Sequence, residues 1–233
     1  MRLQRGFTLI ELAIVLVIVT LLIGGLAAPL SAQIQARRIA ETKKTLEEAR
    51  DALIGYAMTH KTISGNAPYL PCPDSNGDGI EEARTSGKCP SQIGYLPWVT
   101  LGAGAQDAWG NRLRYATTTD VSNDNPGIIS TVSPNSSWNQ VCSSRTCTTG
   151  NIASDIPVVI VSMGPNGWGA LNVNGNILAA PSGADELENQ DGDTIFVSRS
   201  PTKPGDPNGE FDDLVTWISY AVLTARVCPS PGC

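Results

Sequence analysis

Apolar residues are spread unevenly along the chain, and the pattern changes character twice. From Leu12 to Ala36 no residue is charged, and Leu12–Leu30 is almost wholly apolar. A helix over those 19 residues would run about 28 Å, close to the thickness of a bilayer core. In the following stretch, SAQIQARRIAETKKTLEEARDALIGYAMTH, Ile39, Leu46 and Leu53 recur at every seventh position. Ala49 and Tyr56 lie three residues after Leu46 and Leu53. That spacing gives one helical stripe, with Arg, Lys and Glu on other faces. The two stretches are predicted to form one long helix, transmembrane over 7–30 and amphipathic over 31–62, with its distal half lying on a sheet.

Beyond residue 62 the pattern shortens. Nineteen of the 23 glycines and 15 of the 16 prolines lie there, so turns and short strands replace the rod. Residues 111–117 (NRLRYAT), 157–163 (PVVIVSM), 194–198 and 214–219 have the β-branched or aromatic content of strands. A short helix is predicted over 220–226. Residues 117–150 are more than half Ser, Thr and Asn and are expected to form an exposed inserted loop in a globular head spanning 63–233. The fold class is α+β, a long amino-terminal helix packed on a small antiparallel sheet.

Charge and cysteine usage narrow the setting. The net charge is −6, and without Arg2 and Arg5 it is about −8. Nucleic acid is a poor partner for such a body, because its affinity comes mainly from Lys and Arg at phosphates. Six cysteines fall as three close pairs, Cys72/Cys89, Cys142/Cys147 and Cys228/Cys233. An even count in a glycine-rich head points to disulfide-tied loops in an oxidising compartment, with sequential pairing favoured among the possible connectivities. Zinc is disfavoured, since no pair has metal-ligand spacing such as CxxC. Arg2 and Arg5 precede the apolar run, which keeps the amino end cytoplasmic and puts the head on the oxidising side. A secretory signal peptide would have a shorter apolar region and a better cleavage site than Ala-Pro-Leu-Ser-Ala.

A plain anchor leaves one residue unexplained. Glu11 opens the apolar run, where an ionisable group costs roughly 2.5–3.5 kcal/mol near a bilayer centre. The stretch Arg5-Gly6-Phe7-Thr8-Leu9-Ile10-Glu11 resembles the processing motif of type IV pilins and type II secretion pseudopilins. The resemblance implies a leader over 1–6, cleavage between Gly6 and Phe7 by a prepilin peptidase, and methylation of the new amino-terminal Phe7. It also implies that Glu11 pairs with the Phe7 amine of a neighbouring subunit. Such a contact strengthens in low dielectric, whereas an unpaired charge is penalised, so Glu11 would set the register of assembly. Gly24, Gly25 and Pro29 weaken the helix near the end of the run. Pro29 falls one position later than in the usual pilin pattern. DAWGNRLRY (107–115) and VSMGPNGWGA (161–170) are similar to the Trp-Gly-Asn strand and glycine-rich turn of major pseudopilins.

Two acidic stretches are candidate cation sites. Asp74, Asn76 and Asp78 alternate before Gly79, the Ile80 carbonyl and Glu82. Hard oxygen donors at that spacing suit Ca²⁺. The full EF-hand pattern fails, because its twelfth position is Thr85. The second stretch holds Glu188, Asp191 and Asp193, with Asp212 and Asp213 downstream. The family resemblance directs attention there, since major pseudopilins bind calcium in a loop before their final strands.

Catalysis is not expected. The carboxylates lie in glycine-rich turns, and the single histidine, His60, has no convincing nucleophile partner. The expectation is therefore a pseudopilus subunit of a type II secretion system, held in the bacterial inner membrane with its head periplasmic and then drawn into a periplasmic filament. Its implied partners are itself, other pseudopilins, the prepilin peptidase, an inner-membrane assembly platform and secreted cargo. The alternatives are a minor type IV pilus subunit serving adhesion, motility or DNA uptake, and a membrane-anchored periplasmic enzyme or binding protein.

Overall fold

A computed structural model describes residues 8–62, 65–228 and 233, with the side chains of 25–29 outside the description. The chain divides into two compact units, 1–40 and 41–233. Helix α1 covers Leu9–Thr59. In the first unit every Leu, Ile and Val from Leu9 to Ile23 is exposed, as are Leu30 and Ile34. Among the described residues, no helix is long and apolar enough to cross a membrane. The expected span over 7–30 includes Phe7 and the side chains of 25–29, which lie outside the described residues.

In the second unit the predicted stripe is the buried face of α1. Leu46, Ala49, Leu53 and Tyr56 are buried, joined by Thr42, Ile54 and Ala57. Ile39, in the first unit, is half-buried. The remaining elements are β1 (Ile93–Tyr95), α2 (Trp98–Leu101), β2 (Arg114–Thr117), α3 (Thr119–Ser122), β3 (Asn139–Cys142) and β4 (Ala153–Ile156). They are followed by β5 (Val158–Ser162), α4 (Ala184–Glu188), β6 (Ile195–Val197), β7 (Leu214–Ile218) and α5 (Tyr220–Val227). The main sheet is antiparallel in the order β1-β2-β5-β7.

Strand β5 explains its own sequence. All five residues of VVIVS are buried, which requires cover on both faces and therefore a continuous apolar run rather than alternation. On one face Val158 and Ile160 join Leu113, Tyr115, Ile218 and the α1 residues Leu46, Leu53 and Ala57. On the other, Val159 and Val161 join Ala116, Val141, Ile156 and Phe196.

That second layer corrects the expected exposed loop at 117–150. Strand β3 from this segment is wholly buried, and Val121, Ile128 and Trp138 are buried too. Together β4, β3 and β6 make a second sheet, with β3 parallel to β6. The Ser/Thr/Asn content concealed this because the anchoring side chains are few and widely spaced. Trp138, for example, packs against Tyr220 and donates its indole N–H to Asp120 at 2.7 Å.

The six cysteines pair sequentially, Cys72–Cys89, Cys142–Cys147 and Cys228–Cys233. The first bridge closes a loop moored to α1, because Glu81 accepts from Tyr56 Oη at 2.6 Å, Cys72 N at 3.1 Å and Arg84 at 2.8 Å. His60 stacks on Tyr56, ring centroids 3.7 Å apart.

Candidate functional sites

The amino-terminal segment begins with a capped helix. Thr8 donates its backbone N–H and its hydroxyl to Glu11 Oε2, both at 2.8 Å, while Glu11 N donates to Thr8 Oγ1 at 3.3 Å. This is the reciprocal arrangement of a capping box. In the single chain, then, Glu11 satisfies the first turn of α1. Around and after it, the exposed side chains from Leu9 to Ile23 form an apolar surface broken only by Glu11 and Thr20. Contiguous exposed apolar surface of this extent marks a site of association with protein or lipid. Gly6 and Phe7 lie outside the described residues.

The first acidic stretch is used internally. Asp74, fully buried, accepts from the backbone N–H groups of Asn76, Gly77 and Gly79 at 2.7–3.0 Å. Asp78 accepts from Ile80 N at 2.8 Å and from the Asn76 amide at 3.1 Å. Glu82 accepts from Ser75 N and Ser75 Oγ. These are the side-chain-to-backbone turns characteristic of Asp and Asn. The alternation that reads as a calcium loop is also what a tight Asx-turn series needs.

The second acidic region contains two carboxylate groupings. Glu188, Asp191 and Asp193 bring one oxygen each within 4.8 Å of one another, half-buried to exposed. Asp191 accepts from Asp193 N at 3.1 Å, and Asp193 accepts from Ile195 N at 2.7 Å. The other grouping is Glu186, Asp212 and Asp213, again within 4.8 Å, but with Glu186 1% and Asp213 6% exposed.

The buried grouping is built from three parts of the chain. Glu186 comes from α4, Asp212 and Asp213 from the lead into β7, and the 163–169 turn completes it. Glu186 Oε1 accepts from Asn166 Nδ2 and Asp212 N, both at 2.9 Å. Asp212 Oδ2 accepts from Asn166 N at 3.2 Å, and Asp213 accepts from Asn189 Nδ2 at 2.8 Å. Gly164 has φ +58°, and a Cβ there would fall 2.2 Å from the Asp212 carbonyl oxygen. Only glycine lets the turn approach so closely, which accounts physically for the glycine in SMGPNG.

Among the described residues, two oxygens in this centre have no hydrogen-bond partner: Glu186 Oε2 and Asp212 Oδ1, both buried. Burial raises Glu186, with Glu210 adding to it against the Asn166 and Asp212 N–H donors. Asp212 is pushed up to about 7 by burial and by Glu186. Asp213 is held well above the carboxylate range by burial first, then by Glu186 and Asp212. Three carboxylates crowded out of water, with two orphaned oxygens, fit a divalent cation. A hard ion would supply the opposite charge and satisfy both oxygens. The side chains of Glu186, Asp212 and Asp213 would hold it.

The amino terminus matches a known family. Residues 1–27 match the family model described as the prokaryotic N-terminal methylation motif. That motif is the prepilin-type signal of type IV pilins and pseudopilins. It implies processing by a prepilin peptidase and assembly with other pilin-like subunits, and it points to a structural subunit. It also suggests a membrane-anchored protein whose head faces the periplasm. No curated protein and no solved structure matches the chain.

Glu186 escaped the sequence reading. In GADELENQ nothing local separates it from Glu188. Only the fold turns one carboxylate inward and leaves the other half-buried at the surface. The adjacent Asp212–Asp213 pair before an apolar strand was the one legible trace of the buried centre.

Proposed function

We propose that the chain is a structural subunit of a type II secretion pseudopilus, processed at Gly6–Phe7 and assembled through α1 into a periplasmic filament that helps export folded proteins. The observation that carries this reading is Glu11, lying inside the matched methylation motif at the head of an exposed apolar helix. Among the described residues of the single chain, its carboxylate is bonded by Thr8. A new Phe7 amine on a neighbour would offer it an opposite charge. Exchanging the capping contact for that ion pair in an apolar surround distinguishes correct axial stagger from slipped packings, which aliphatic contacts alone barely discriminate. The disulfide-tied head, with its main sheet covered on both faces, suits a subunit exposed on a filament in an oxidising compartment.

Calcium is the cation we assign to the buried acidic centre. Every side-chain donor there is oxygen, which favours a hard ion with high coordination number over zinc or copper. Bound there, the ion would supply positive charge that joins α4 to the start of β7.

Intact-protein mass spectrometry of the native membrane-extracted protein tests the processing step. The expected mass lacks Met1–Gly6 and carries one added methyl group. An uncut amino terminus in cells with active prepilin peptidase would refute the filament reading. Glu11→Ala should then leave processing intact while removing the subunit from sheared filaments. A null strain that loses secretion of folded exoproteins but keeps surface pili places the filament in secretion. The reverse phenotype would assign it to a type IV pilus.

A further inference from the structure

We propose that the Cys142–Cys147 loop is a redox latch for the buried acidic centre, so that the centre takes up its cation in full only after this disulfide has closed. The proposal rests on the reading of that centre as a cation site. It comes from Asp185, the residue before Glu186, whose two carboxylate oxygens are held from opposite directions. Asp185 Oδ1 accepts the backbone N–H of Arg145, inside the disulfide loop, at 3.0 Å. Asp185 Oδ2 accepts Arg199 Nε at 2.7 Å in an ion pair whose side chains are 10% and 13% exposed.

Each partner of Asp185 is tied to the next part of the network. Cys142 ends β3, and its carbonyl accepts from Ser198 N at 2.8 Å, next to Arg199. The Arg199 guanidinium donates to Thr202 Oγ1 at 2.9 Å and to the carbonyls of Asn208 and Gly209 at 3.1 and 3.2 Å. It also lies over the Phe211 ring, 4.6 Å from the centroid. Phe211 is fully buried and precedes Asp212 directly. One brace thus positions both sides of the acidic centre, Glu186 through α4 and Asp212–Asp213 through Arg199 and Phe211. Asp185 is its junction.

Joining the ends of the loop limits the conformations open to Arg145 N and so favours its contact with Asp185. Helix α4 has five residues, too few to persist by its own hydrogen bonds, so its placement depends on such tethers. A hydrogen bond to a carboxylate changes an equilibrium by on the order of tenfold. Closure joins the two Sγ atoms. The two electrons and two protons leaving the thiols reduce the disulfide of a thiol–disulfide oxidant to its dithiol. A head still in a reducing compartment would therefore hold a loose, low-affinity centre.

The test uses the full-length protein in detergent, with calcium chloride as the probe. Two variants are compared with wild type: Cys142→Ser/Cys147→Ser, which opens the loop, and Arg145→Pro, which keeps both cysteines and removes the donor N–H together with the side chain; Arg145→Ala, which keeps the N–H, controls for loss of the guanidinium near Glu188. Amide hydrogen exchange is measured without calcium over 184–190 and 210–213, and calcium titration gives Kd. The latch requires both variants to exchange about tenfold faster in those segments and to bind calcium about tenfold more weakly, while exchange in β2 and β5 stays unchanged. Exchange and Kd within twofold of wild type in both variants would overturn it. If wild type itself binds no calcium, the cation reading falls and the latch falls with it; the exchange difference then shows only whether the loop braces α4, which separates that failure from a failure of the latch alone. If the double serine variant fails to fold, the Arg145→Pro comparison carries the decision.

Discussion

Replacing Glu186 by Gln is expected to stabilise the calcium-free protein and to abolish its stabilisation by calcium. Glu186 and Asp212 place oxygens within 4.8 Å, and two unit charges at that distance repel by about 3–4 kcal/mol at an effective dielectric of 20. Asp212, pushed up to about 7, is largely ionised at pH 8, so most of this repulsion is present there. Gln keeps an acceptor for the Asn166 and Asp212 N–H groups that now bond Glu186 Oε1. Its amide also brings N–H donors to the position of the orphaned Oε2. After allowance for solvent screening, the net gain should be about 1–3 kcal/mol, or about 2–10 °C in Tm for a head of this size. Thermal unfolding of the full-length protein at pH 8, in chelator and then in millimolar calcium, reads both halves. Wild type should gain stability on adding calcium, and the variant should not. A variant less stable than wild type in chelator, yet equally raised by calcium, would refute both the crowding of the carboxylates and their role as ligands.

In chelator, stability should fall as pH rises from about 4 to about 8. Asp212 is raised in the folded protein from an ordinary value of 3.8 to about 7, so the folded state holds the proton that the unfolded state releases. Folding loses that contribution progressively above the unfolded value. Chemical denaturation at pH 5 and pH 8 measures it, and a flat or rising profile would contradict the burial of the centre. Asp74→Ala should destabilise the head by about 1–3 kcal/mol, because three backbone N–H groups, that of Gly79 buried, lose their acceptor. It should leave calcium affinity unchanged, and a titration showing weaker binding would move the cation site to that loop. Leu53→Ala should cost about 2–5 kcal/mol in denaturant unfolding, since Leu53 is fully buried between α1 and the main sheet. Gly94→Ala should cost more than 1 kcal/mol, because the new Cβ would fall 2.4 Å from the Asp74 backbone oxygen; equilibrium unfolding within a few tenths of wild type would show that the backbone gives way.

Periodicity alone determined much of this protein. A run of apolar residues without charge, then a seven-residue recurrence, specifies a helix and its buried stripe because side-chain direction in a helix depends only on position. The unbroken run VVIVS specifies a strand covered on both faces for the same local reason. The methylation motif over residues 1–27 was legible because it is contiguous. Close cysteine pairs favoured sequential bridges. What covers the second face of the sheet was not legible, because β3 and β6 meet in parallel across more than fifty intervening residues, and no local pattern encodes so distant a pairing. The choice among acidic residues was likewise tertiary. Asp74, Glu186 and Asp191 all stand in polar, turn-rich sequence. The first is buried and bonded by its own loop, the second is buried with an orphaned oxygen, and the third is exposed. Burial and partnership decide whether a carboxylate organises a turn, is left with an orphaned oxygen or meets water, and the packing of distant segments sets both.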